Sequence, residues 1–246
     1  MALIAFGVSL LYVLLIYIAS YLTARDSWLD RDEERVLKVR LLVVLLYSMA
    51  ALYSYHQWSL WNLNLYHIVQ TIFALSPLLF VNCCALLGSE KPKKDAIKIM
   101  LVEARCALHS DMDALFSRDY SYMRDYIVGP FSEECVFRLT LYHALDSRCY
   151  ILKSSILFSL CHLHPIFVKP KNVLPVIIQC LFTFIFGLYI GDIFQRTGSL
   201  LTCTLIHALC NRVGFVDLDQ LLSLNRLQSI WFCILCGISA MALIYF

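Results

Sequence analysis

The chain has 246 residues, of which 60% are hydrophobic and only 15% charged. Soluble domains are nearer half apolar and a quarter charged, and disordered chains are poorer still in apolar residues, so both classes are excluded. The formal net charge of +2 points to no nucleic-acid partner, and the placement of the charges says more than their sum.

A helix needs roughly 20 apolar residues to cross a bilayer core. Segments of that kind recur near 2–24, 36–54, 60–88, 124–146, 149–167, 173–195, 199–217 and 227–246. The expected fold class is all-α: a polytopic integral membrane protein, a bundle of about eight transmembrane helices in a lipid bilayer. No repeat or linker interrupts it, so a single transmembrane domain over 1–246 is expected. The first segment has no basic leader and no small-residue cleavage site, and is expected to be retained.

The only long polar connection follows the third segment. Within 95–108, Ile97, Met100, Leu101 and Ala104 fall on one helical face. That pattern suits a helix in the headgroup region, or equally one packed on the bundle. Most of the eleven cysteines sit in apolar segments, where a free thiol behaves as a small hydrophobe. Cys233 and Cys236 form a C-x-x-C without a second pair, which favours packing over metal binding. Lys and Arg concentrate in the odd-numbered connections, while the even-numbered ones carry Arg148 and Arg196. The positive-inside rule puts the odd-numbered connections in the cytosol and both termini on the far side.

The fourth segment breaks the apolar pattern with "GPFSEECVFRLTLYHAL" at 129–145. A charge at the centre of a spanning helix costs about 2.5–3.5 kcal/mol on insertion scales. Glu134 and Arg138 are four apart and can pair on one helical face. Glu133 is turned about 100° away and is left for other work. Pro130 is expected to start or kink this helix. The fifth segment places Phe158 and His162 four apart, and the seventh does the same with His207 and Asn211. Counted along the helices from the cytosolic flanks, Glu133 is about 13 Å deep, His162 roughly 10 Å and His207 roughly 9–15 Å. All fall in the cytosolic half and are able to line one polar cavity. Glu133 and His162 are suited to activating a water; His207 and Asn211 offer hydrogen-bond donors to a developing oxyanion. A buried ionic network that only fixes helix packing would use Glu133, Glu134 and Arg138 as well.

The ordered set Glu133-Glu134-x-x-x-Arg138, Phe158-x-x-x-His162 and His207-x-x-x-Asn211 resembles the three motifs of the type II CAAX prenyl endopeptidases, the Ras-converting enzymes of the CPBP intramembrane protease group. The resemblance runs from about Asp125 to Gly214; the first 120 residues match only in being hydrophobic. It implies variable helices over 1–120, a catalytic core at about 121–217 and a C-terminal span at 227–246. It also implies an endoplasmic reticulum enzyme, its active site facing the cytosol. Such an enzyme hydrolyses the bond after the prenylated cysteine of CaaX proteins, such as farnesylated or geranylgeranylated Ras-type small GTPases, and releases the last three residues. By this resemblance Glu133 and His162 activate the water, and His207 and Asn211 hold the oxyanion. Glu134, Arg138 and Phe158 support the site or the substrate, no cofactor is required, and His164, followed by Pro165, takes no part.

Three other functions use the same residues. A zinc protease would take Glu133, His162 and His207 as ligands, although H-E-x-x-H is absent. A proton-coupled transporter would use Glu133, His162 and Arg138 as a relay, although no pair of interrupted helices repeats in two halves. A non-catalytic scaffold of the same fold would leave peptides uncut.

Overall fold

The computed structural model describes residues 2–23, 34–55, 58–87, 110–113, 119–145, 149–163, 173–214 and 222–245. Every regular element among them is helical. We label these α1 (Ala2–Thr23), α2 (Glu34–Ser54), α3 (Leu65–Ala74), α4 (Ser76–Leu87), α5 (120–144), α6 (Tyr150–Cys161), α7 (Val173–Thr197), α8 (Leu200–Val213) and α9 (Arg226–Tyr245). The amphipathic stretch expected at 95–108, together with Arg148 and His164, lies outside the described residues.

Among the described residues two helices, α2 and α7, are long and apolar enough to cross a membrane. A bent pair, α3 with Ser76–Asn82 of α4, makes a third if it is one span. The expected span at 60–88 is thus broken, with a bend of 51°. Pro77 explains the break, since it has no N–H and its ring clashes with the carbonyl four residues back, that of Phe73. The Phe73 carbonyl is not abandoned: the Ser239 hydroxyl on α9 donates to it at 3.4 Å and also to the neighbouring Ala74 carbonyl. Hydroxyls commonly satisfy backbone groups freed by proline in membrane helices.

The backbone gathers into two compact units. The first comprises Met1–Asn64 and Tyr120–Leu205; the second comprises Leu65–Asp119 and Ile206–Phe246. In the first, α1 and α2 pack on each other and on α5, and α6 lies between α1, α5 and α7. Its core includes Val36, Leu37, Val44, Val136, Phe137, Leu139, Tyr150, Phe158 and Ile190.

Lipid supplies no hydrophobic force to push helices together, so close packing of small residues must do it. The α6–α7 interface shows how. Gly187 and Gly191 form a G-x-x-x-G face on α7. A Cβ on Gly187 would stand 3.0 Å from the Ser155 backbone, and one on Gly191 would stand 3.4 Å from Ile151. Ser159 adds an interhelical hydrogen bond, donating to the Cys180 carbonyl at 2.7 Å. The end of α6, where His162 lies, is fixed by this seam.

In the second unit, α9 packs on α3 and α4. His67, Gln70 and Thr71 are buried on α3, with His67 Nδ1 at 3.0 Å from the Gln70 side-chain oxygen.

Candidate active site

The α5 helix is continuous over 120–144 but not uniform. Two π-type stretches, Arg124–Val128 and Cys135–Thr140, bracket the α-helical Gly129–Glu134. Pro130 stands in the first turn of the α-helical Gly129–Glu134, as expected of a helix start, although helical turns precede that stretch. In the wider turn before it the Gly129 N–H bonds five residues back, to the Arg124 carbonyl. That geometry carries the chain past a residue that has no N–H to give. Gly129 is required there, because any Cβ would collide with the Arg124 carbonyl oxygen. In the second π stretch the Thr140 hydroxyl donates to the Cys135 carbonyl at 2.9 Å.

The two adjacent carboxylates have separate surroundings. Glu134 and Arg138 are both fully buried, with Arg138 Nε 2.9 Å from Glu134 Oε2. This is an ion pair by distance, although the Nε–H is not aligned on that oxygen. Arg138 also reaches the Phe137 carbonyl at 3.4 Å and lies over the Phe158 ring at 5.3 Å. Its Nη2 has no hydrogen-bond partner among the described residues. Glu133 is only half-buried. Its carboxylate is near enough for its charge to act on Cys161, in the last turn of α6, and on Tyr12 of α1.

Phe158 links the pair to the histidine. The ring is 1% exposed and packs edge-on against Phe137 and His162, with centroids 5.1 and 4.9 Å away. Its carbonyl lies 2.9 Å from His162 Nδ1. A carbonyl oxygen only accepts, so Nδ1 carries the proton and Nε2 of the neutral ring keeps a lone pair. α6 ends at Cys161, short of the expected 167; His162 and Leu163 close it with bonds to the Ser159 and Leu160 carbonyls. His162 thus stands at a helix end with one ring nitrogen committed and the other available.

His207 and Asn211 lie one turn apart on α8, in the second unit; His207 is buried and Asn211 exposed. The start of α8 belongs to the first unit and is firmly held there. Ser199 caps it through the Thr202 N–H at 3.1 Å. Both hydroxyls donate to the Asn62 carbonyl, and Asn64 N–H donates to Thr202 at 2.8 Å. Glu133, Glu134, Arg138, Phe158 and His162 all belong to the first unit, and His207 and Asn211 to the second. Every described cysteine is free, Cys233 and Cys236 included. Among the described residues no three His, Cys, Asp or Glu side chains gather as metal ligands would.

The sequence reading missed two residues beside Glu133. Ser132 is fully buried, and the hydroxyl of Tyr12 on α1 lies 2.8 Å from its Oγ. The only trace of this in the sequence is a polar tip within an apolar helix, which is weak.

Residues 120–213, which hold all three motifs, match the family model described as type II CAAX prenyl endopeptidase Rce1-like. Over these residues the chain is similar to that family. The chain is 34% identical over 107 residues to a CAAX prenyl protease 2 of Arabidopsis thaliana, covering 38% of this chain and 34% of that protein. It is 30% identical over 108 residues to a probable CAAX prenyl protease 2 of Schizosaccharomyces pombe, covering 39% and 40%. To the Homo sapiens CAAX prenyl protease 2 it is 28% identical over 137 residues, covering 49% and 38%. The chain spans less than half the length of each of these relatives. No solved structure matches it. The resemblance to type II CAAX prenyl endopeptidases drawn from the motifs stands on these likenesses.

Proposed function

We propose that the chain is a membrane-embedded endopeptidase that cuts after the prenylated cysteine of CaaX proteins and releases the C-terminal tripeptide. One observation supports the chemistry: of two adjacent carboxylates on α5, Glu134 is fully buried against Arg138, while Glu133 stays half-buried. The Rce1-like match over 120–213 supplies the substrate class.

A water has two protons to place. Glu133 takes one as the oxygen attacks the scissile carbonyl, and the His162 Nε2 lone pair accepts the other as a hydrogen bond that orients the water. Negative charge then builds on the carbonyl oxygen, where His207 and Asn211 donate; each such donor is worth about 10²–10³ in rate. The proton held by Glu133 passes to the leaving amine. Glu134, Arg138 and Phe158 are supporting residues: all are buried, and together they aim the His162 ring. In this reading about eight spans enclose a polar cavity in the endoplasmic reticulum membrane, open to the cytosol. The prenyl chain enters from the bilayer while the peptide arrives from the aqueous side.

The test is cleavage of a farnesylated CaaX peptide by membranes carrying wild type or Glu133→Ala. Release of the tripeptide by wild type and near-complete loss in the mutant, at equal amounts of inserted protein, is expected. Equal release by both would sink the assignment of Glu133, and no release by wild type would sink the activity.

A further inference from the structure

The N-terminal helix lies outside the 120–213 match, yet it places a buried hydroxyl beside the candidate base. Tyr12 is 6% exposed, with its ring edge-on to Tyr47 at 5.6 Å and to Phe137 at 6.4 Å. Its hydroxyl is 2.8 Å from Ser132 Oγ, and Ser132 donates its one proton to the Gly129 carbonyl at 2.9 Å. The direction of the shared bond follows: Tyr12 donates and Ser132 accepts. A chain of two directed bonds thus runs from α1 through Ser132 to the carbonyl of Gly129. Two features make this point consequential. The backbone ladder is irregular here, because Pro130 gives no N–H and a π turn precedes it. Ser132 is also the residue immediately before Glu133, whose charge reaches Tyr12 itself.

We infer that Tyr12 is a positioning residue, which fixes the rotation of Gly129–Glu134 through Ser132 and so aims the Glu133 carboxylate. The inference rests on the endopeptidase reading. A lateral hydrogen bond from a neighbouring helix replaces the control that a regular ladder would exert. Misplacing a reacting group by about 1 Å can cost 10²-fold in rate, so loss of one such link is expected to be visible in turnover. Phenylalanine at position 12 keeps the ring contacts with Tyr47 and Phe137 and removes the hydroxyl alone.

Steady-state cleavage of a farnesylated CaaX peptide is measured for wild type, Tyr12→Phe, Ser132→Ala and the double variant, with thermal melting of each in detergent. Tyr12→Phe is expected to lower kcat about tenfold with KM unchanged within about twofold. Ser132→Ala is expected to do the same, and the double variant to fall no further, because both break one link. Melting curves matching wild type complete the expected result. Wild-type kcat in Tyr12→Phe, a loss of activity that only follows a loss of folded protein, or additive losses in the double variant would each overturn the inference while leaving the endopeptidase in place. Absence of cleavage by wild type would overturn the endopeptidase reading, and this inference with it.

Discussion

At the scale of single residues the site is a lesson in how neighbours in sequence acquire different chemistry. Glu133 and Glu134 are identical side chains one position apart. A partner four residues on, Arg138, neutralises Glu134 within the buried interior, whereas Glu133 is half-buried. Removing one member of a buried pair strands the other, at a cost of about 3–5 kcal/mol, whereas an apolar pair of similar size is often tolerated. Arg138→Ala should therefore lower the melting temperature in detergent sharply, and Glu134→Leu combined with Arg138→Met should recover most of it. A chemical role for Arg138 would show as an inactive but fully stable double variant. Asn211→Ala should reduce kcat about 10²–10³-fold with little change in KM, as loss of an oxyanion donor does; an effect confined to KM would move Asn211 from chemistry to binding. The Glu134–Arg138 pairing was legible in the sequence because four-residue spacing is a local rule. The bond from Tyr12 to Ser132 was not, because it joins positions 120 residues apart and no pattern marks either one.

At the scale of elements, the helices were legible and their irregularities were not. Apolar length predicts a helix through the motif segment, but no periodicity reports a π turn. Each π stretch amounts to an α-helix with a residue inserted, so the two in α5 set how the central Gly129–Glu134 is rotated against both ends. Gly129→Ala should disrupt the first of them, since its Cβ meets the Arg124 carbonyl. Abolished cleavage by protein that still inserts is expected; wild-type activity would show that the turn is dispensable. The seam between α6 and α7 makes a second prediction at this scale. Gly187→Leu, with Ser155 backbone 3.0 Å from the new Cβ, should separate the helices and abolish folding, and Gly187→Ala should be measurably milder in thermal melting. The G-x-x-x-G signal of this seam, Gly187 and Gly191, is present in the sequence. Pro77, likewise visible, was enough to foretell the break within 60–88.

At the scale of the molecule, the charge pattern makes the sidedness of the bundle testable with a thiol the protein already has. Cys149 is free and exposed between α5 and α6, in a connection that the positive-inside rule predicts on the side away from the cytosol. A membrane-impermeant maleimide applied to sealed microsomes should leave Cys149 unlabelled until the membrane is permeabilised, while Lys94→Cys should label at once. The reverse pattern would invert the topology and put Glu133 in the wrong half of the bilayer. The hydrogen bond from Ser239 to the Phe73 carbonyl bears on how such a chain is made. Its partners are separated by 166 residues, and the donor belongs to α9. During synthesis the broken backbone at Pro77 enters the membrane long before its hydroxyl exists. The second unit therefore cannot close until α9 has been made, and until then water, lipid headgroups or a chaperone must satisfy that carbonyl.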